Sequence, residues 1–136
     1  MCGISGVLSF DGKYNKEDVL KMNKILSHRG PDDEGTYFDE FIGLGHRRLS
    51  IIDLSKTGHQ PMSCGPERYW IIFNGEVYNY LEIREDLIKY GFNFHSNTDT
   101  EVVLKSYIKW GKDCLKKFNG MWAFAIWDNV KKELFC

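Results

Sequence analysis

Met121-Trp122-Ala123-Phe124-Ala125-Ile126-Trp127-Asp128 is apolar at every position but the last. A strand with one wet face would alternate; this one does not, so it reads as a central strand covered on both sides. The chain then turns over residues 128–132 into Glu133-Leu134-Phe135-Cys136, whose apolar run resembles the inside of a further strand. Upstream, residues 69–73 form a dense apolar strand that ends at Asn74-Gly75, the strongest short signal for a two-residue hairpin turn, with a short strand at 76–78 beyond it. A first strand spans 4–10, with Ile4, Gly6, Leu8 and Phe10 on one face. Residues 36–38 and 42–52 read as two more, the second interrupted near Gly45. Three helix starts carry capping pairs, Asn15 with Asp18, Asn79 with Glu82 and Thr98 with Glu101. Behind them lie an apolar stripe at Val19, Met22, Ile25 and Leu26, a helix over 81–90 and another over 100–110. Residues 113–118 form a short helix, and 28–35 and 53–62 are loops, the first with Asp32, Asp33 and Glu34 in a solvated turn. Strands and helices mix without strict alternation, which makes the class α+β.

Composition fits one ordered domain. The 136 residues are 43% hydrophobic, 15% aromatic and 27% charged, with 18 basic against 19 acidic side chains. A net charge of −1 excludes a strongly basic nucleic-acid or membrane-surface binder. No apolar run reaches the ~18 residues of a membrane span, and no signal peptide is visible at the N-terminus. The four cysteines form no C-x-x-C pair, which leaves a structural zinc site unsupported; a cytoplasmic chain with free thiols is expected. The four histidines show no metal spacing, and neither a phosphate-binding loop nor a dinucleotide fingerprint occurs.

Several residues have both a plain and a chemical reading. Cys2 follows Met1, and initiator methionine is usually removed before a small residue. Removal would expose an α-amine beside the thiol, and such an amine can serve as the general base of an N-terminal nucleophile. Taken alone, Cys2 is more often a buried inert thiol. Asn74 and Gly75 could supply two N–H donors to a developing oxyanion as well as make a turn. In Arg47-Arg48 strand alternation sends one side chain inward, where its planar fork suits a carboxylate. Asp99, near a helix start, reads first as a cap, and Glu76 as a surface carboxylate; either could hold an ammonium group. His46 could pair with Cys2 in a protease-like dyad, but nothing local supports it.

Four stretches in register carry a family resemblance: Met1-Cys2-Gly3-Ile4-Ser5-Gly6, His28-Arg29-Gly30-Pro31-Asp32, Gly45-His46-Arg47-Arg48-Leu49-Ser50-Ile51-Ile52-Asp53 and Phe73-Asn74-Gly75-Glu76-Val77-Tyr78-Asn79. Across its whole length the chain resembles the N-terminal glutaminase domain of glutamine-dependent asparagine synthetases, a class II glutamine amidotransferase and N-terminal nucleophile hydrolase. The resemblance implies a four-layer αββα sandwich, incomplete at its C-terminus. It implies Cys2 as nucleophile with its α-amine as proton acceptor, Asn74 and Gly75 as oxyanion hole, Arg48 on the substrate α-carboxylate, and Glu76 and Asp99 on its α-ammonium. Glutamine is the implied substrate and a synthetase domain, absent here, the implied partner. ATP and magnesium belong to that domain, and no cofactor or metal is implied for residues 1–136. A homodimer is compatible with the resemblance. An amidotransferase with another acceptor, or a non-catalytic fragment acting as a binding module, are the alternatives.

Overall fold

The computed structural model describes residues 1–64 and 67–136. Its strands and helices are β1 (Gly3–Leu8), α1 (Lys16–Ile25), β2 (Asp33–Phe38), β3 (Ile42–Arg48), β4 (Met62–Cys64), β5 (Tyr69–Val77), α2 (Tyr80–Lys89), α3 (Asp99–Trp110), β6 (Gly120–Asp128) and β7 (Glu133–Phe135). Short 3₁₀ turns occupy Leu26–Arg29, Lys56–Gly58 and Gly111–Lys117.

Two antiparallel sheets result. One has the order β1-β3-β2, the other β4-β5-β6-β7. The strand that reads as doubly covered, β6, lies between β5 and β7. Its two faces enter different cores. Phe124 and Ile126 join Ile71, Phe73 and Val77 of β5 and Ile83, Leu87, Val102, Val103 and Leu104 of α2 and α3. Trp127 and Ala125 meet Ile42, Leu44, Ile72, Ile4 and Leu8 in the space between the sheets. Helix α1 covers the outer face of the first sheet, where Val19 is fully buried and a Cβ at Gly43 would touch it. The layers therefore run helix, sheet, sheet, helices: an αββα sandwich. Apolar burial of about 25 cal/mol per Å² drives both interfaces. The polar end of Trp127 is satisfied across the layers, its Nε1 donating to Asp39 Oδ2 at 2.7 Å.

Several local expectations change. Asn74-Gly75 makes no turn. β5 runs unbroken through it, with Asn74 opposite Ala123 and Gly75 opposite Trp122. A Cβ at Gly75 would lie 2.5 Å from the Trp122 Cα, so the glycine serves close strand approach, not a positive φ. β3 is likewise uninterrupted at Gly45 but ends at Arg48 rather than at residue 52, because β1 and β2 pair with it only that far. β2 begins at Asp33, inside the expected loop, because pairing with β3 extends it. The acidic triplet is partnered: Asp33 meets His59 Nδ1 at 2.8 Å and Glu34 meets Arg47 Nη2 at 2.6 Å. In α1 the inward stripe is Val19, Met22, Asn23 and Leu26, while Ile25 is 73% exposed. Asn15 and Thr98 cap as expected, accepting from Glu17 N–H and Glu101 N–H. Asn79 does not cap; its amide donates to Lys117 C=O and accepts from Asn119 N–H, tying the approach to β6.

Candidate active site

Strand alternation builds the site. On β3 the even residues Ile42 and Leu44 face the second sheet, so His46 and Arg48 follow on the same side. On β5 the even residues Trp70 and Ile72 face the first sheet, and Asn74 and Glu76 continue that row. Cys2 stands one residue ahead of β1, in phase with Ile4 and Leu8. The core between the sheets thus opens at one end into a cavity of about 140 Å³. Cys2, Arg48, Asn74, Gly75, Glu76 and Asp99 all line it, with Met1, Leu49 and Thr98 among their neighbours. The structure brings together all six residues singled out from the sequence.

Cys2 is half-buried and held on both sides. Its Sγ accepts the Leu49 N–H at 3.3 Å and lies 3.7 Å from Leu49 C=O. Arg29 Nη2 donates to Cys2 C=O at 3.4 Å. Asp32 brackets Leu49: its N–H donates to Arg48 C=O at 3.0 Å and its Oδ2 accepts Ser50 N–H at 2.8 Å. The His28-Arg29-Gly30-Pro31-Asp32 stretch therefore fixes the thiol's surroundings, a role that spacing alone does not disclose. Met1 precedes Cys2, so the Cys2 nitrogen here is a peptide nitrogen.

Arg48 is the inward member of the arginine pair, 7% exposed. Arg47 turns outward to Glu34 and donates from Nε to Asn23 C=O at 3.0 Å. The Arg48 guanidinium donates from Nη1 to Ser55 C=O at 2.8 Å and from Nη2 to Asp53 C=O. Two of its five N–H donors are used, which leaves a fork for a carboxylate. The loop that supplies those carbonyls is itself fixed. Hydrogen bonds from Ser55, hydroxyl and backbone, hold the Asp53 carboxyl down to about 2, and Asn97 N–H donates to its Oδ2 at 3.2 Å. Gly58 packs directly on the guanidinium.

Asp99 is the first residue of α3 but not its cap, since Thr98 takes that place. Its Oδ2 instead accepts Val77 N–H at 3.1 Å. Burial, and the like charge of Glu76, raise the Asp99 carboxyl above its ordinary value against the pull of the Val77 and Thr100 amides. A cation arriving there would relieve that unfavourable burial. Glu76 is exposed at the mouth. The bound carboxylate of Glu101 gathers the preceding loop, accepting from His95 N–H, Ser96 N–H and Lys105 Nζ.

His46 does not line the cavity. Its Nε2 donates to Phe73 C=O at 3.1 Å, and burial pushes its imidazole down to about 4. It ties the two sheets and forms no dyad with Cys2. Gln60 and Gly58 carry no local sequence signal, and Arg29 and Asp32 stand in a recognisable stretch whose spacing gives neither a role. The partners of Gln60 lie 13 and 40 residues away. Among the described residues no group of three or more His, Cys, Asp or Glu side chains could hold a metal ion, and no helix is long and apolar enough to cross a membrane.

The family model of the glutamine amidotransferase domain matches residues 1–136. Asparagine synthetase (glutamine-hydrolyzing) 1 of Bacillus subtilis (strain 168) is 46% identical over 139 residues, covering 99% of this chain and 22% of its own length. Asparagine synthetase (glutamine-hydrolyzing) 3 of the same organism is 41% identical, with the same coverage. The chain thus spans about a fifth of the length of these two relatives. A solved structure, the glutamine phosphoribosylpyrophosphate amidotransferase of B. subtilis complexed with ADP and GMP, superposes with a TM-score of 0.64 at 18% identity. That match covers 94% of this chain and 35% of the other, and it bears on the fold, which is the N-terminal nucleophile hydrolase type. With the family model spanning every residue from Met1 to Cys136, this chain belongs to the glutamine amidotransferase domain family.

Proposed function

We propose that this domain hydrolyses the side-chain amide of glutamine at Cys2 and supplies the ammonia for ATP-dependent synthesis of asparagine from aspartate elsewhere in a longer protein. One observation carries the reading: a thiol, a guanidinium, two carboxylates and an Asn-Gly donor pair converge on one cavity. Each matches a group of a zwitterionic amide substrate. Arg48 takes the α-carboxylate as a fork. Asp99 and Glu76 take the α-ammonium. Asn74 and Gly75 face the amide oxygen, where each donor contributes ~3 kcal/mol as charge develops.

Loss of Met1 frees the Cys2 amine, which takes the thiol proton. The sulfur attacks the amide carbon, and the C–N bond breaks as the nitrogen gains a proton, releasing ammonia and leaving a glutamyl thioester. Water then attacks the thioester, glutamate departs and the thiol is restored. ATP and magnesium act with the synthetase part of the longer protein, and no step here passes through them. The compartment that suits this chemistry is the cytoplasm, and a homodimer is compatible with it.

The test is labelling by 6-diazo-5-oxo-norleucine, a glutamine-shaped electrophile, followed by peptide mapping. Cys2 is expected to be modified and protected by excess glutamine. Burial pushes the Cys64 and Cys114 thiols up to about 11, so both are expected to stay free. Absence of Cys2 labelling in a chain shown by mass to have lost Met1 would favour the non-catalytic alternative.

A further inference from the structure

The edge of β5 explains why Gly75 is free to act. β4 pairs with β5 only as far as Ile71, opposite Met62. Beyond that point residues 73, 75 and 77 turn their backbone N–H and C=O groups toward an edge that has no partner strand among the described residues. Two of the three amides are capped by side chains. Phe73 N–H donates to Gln60 Oε1 at 2.7 Å and Val77 N–H to Asp99 Oδ2 at 3.1 Å. Phe73 C=O accepts from His46 Nε2 at 3.1 Å. The amide between them, Gly75 N–H, lies on the same edge, and Gly75 lines the cavity.

Gln60 does more than fill a gap. Its Nε2 donates to Thr100 Oγ1 at 3.2 Å, one residue after Asp99. A single planar amide therefore spans from β5 to the start of α3, with an acceptor at one end and a donor at the other. Asparagine is a methylene shorter, and no other neutral side chain offers both functions on such a reach. Gln60 is buried, and stranding either end of it would leave an unsatisfied buried polar group. It borders the cavity, but both ends of its amide are committed to protein groups.

We propose that Gln60 is a positioning residue for the oxyanion hole. By clamping Phe73 and Thr100 together it sets where Asn74 and Gly75 stand relative to the thiol, and it acts through them without touching the substrate. The proposal rests on the glutaminase reading above. It places a determinant of rate, rather than of binding, in the loop between β3 and β4.

The experiment compares the wild-type chain, its Met1 processing verified by intact mass, with Gln60→Met and Gln60→Glu. Two reactions are measured. Glutamine hydrolysis builds negative charge on a carbonyl oxygen. Alkylation of Cys2 by iodoacetamide forms the S–C bond as iodide leaves, and needs no oxyanion hole. For Gln60→Met, kcat is expected to fall about 10- to 100-fold, in the range set by partial loss of one oxyanion donor. KM and the alkylation rate are expected to stay near wild type. Gln60→Glu, which keeps the acceptor for Phe73 N–H, is expected to recover most of kcat. If Gln60→Met does not fold, Gln60→Asn carries the same expectation, because it keeps an amide but withdraws it. Wild-type kcat in the variant, or a parallel loss of kcat and alkylation rate, would overturn the proposal. A wild-type chain without Met1 that alkylates at Cys2 yet turns over no glutamine would instead overturn the glutaminase reading.

Discussion

Gly58 packs against the guanidinium of Arg48 so closely that a Cβ built on it would lie 2.6 Å from Arg48 Cζ, with Nη2 closer still. The same Cβ would be 3.1 Å from Thr98 Cγ2, so there is little room for it to escape sideways. Gly58→Ala should therefore displace the carboxylate-binding fork while leaving the thiol in place. Hydrogen bonds to charged groups contribute about 1.5–3 kcal/mol each. We expect KM for glutamine to rise at least about 10-fold, with kcat changed far less, in steady-state kinetics. An unchanged KM would remove Arg48 from substrate binding.

Gly75→Ala tests the strand itself. The added Cβ meets Met121 C=O and the Trp122 Cα, both backbone. β5 and β6 must separate locally, and overpacking of this kind costs about 1–3 kcal/mol. Urea unfolding should show that loss, and kcat should fall by more than the small rise in KM, because the displaced amide is the proposed oxyanion donor.

Retention of Met1 should abolish turnover. The amine of Cys2 is then locked in a peptide bond and cannot accept a proton. Intact mass combined with a glutaminase assay gives the answer, and full turnover in a Met1-bearing preparation would remove the α-amine from the mechanism.

The pH dependence of glutamine binding should report Asp99. Burial and Glu76 raise its carboxyl, so it takes up a proton at a higher pH than an ordinary aspartate. Only the ionised form attracts an ammonium. As pH falls, glutamine binding should therefore begin to weaken at a pH above the 3.8 of a free carboxyl. Asp99→Asn can still accept Val77 N–H; it should raise KM and lose that pH dependence.

His46 makes stability depend on pH. Its imidazole is pushed down from 6.5 to about 4 by burial, so between these values the unfolded chain binds a proton that the folded chain does not. Stability is full above 6.5 and declines as pH falls toward 4, by about 3 kcal/mol across that window. His46→Gln keeps a donor for Phe73 C=O but no titratable group. Its unfolding free energy should fall less over the same range in urea titrations, and parallel curves for the two proteins would exclude His46 as the source.

Much of this was legible from residue order, and the misses share a cause. Periodicity found the doubly covered strand, because seven apolar positions in a row are a statement about both faces at once. It also found that one of Arg47 and Arg48 points inward. The caps at Asn15 and Thr98 were legible because capping is local chemistry. Asn79 carries the same signal but fails to cap, since Lys117 and Asn119 compete for its amide from 38 and 40 residues away. Asn74-Gly75 reads as a turn because nothing local records that β6 lies alongside it. Gly58 and Gln60 were invisible for the same reason: their meaning is a contact with Arg48, Phe73 or Thr100, not a pattern.

The shared phase of core and site residues has an evolutionary consequence. Ile42, Leu44, His46 and Arg48 form one row on β3, and Trp70, Ile72, Asn74 and Glu76 another on β5. A single inserted or deleted residue within either strand would swap every member beyond it to the opposite face. The interior would lose its apolar lining and the cavity its charged or polar groups in the same event. Lengths between Ile42 and Arg48 and between Trp70 and Glu76 should therefore be invariant among working relatives, even where the residues differ, while insertions gather in the connections between strands.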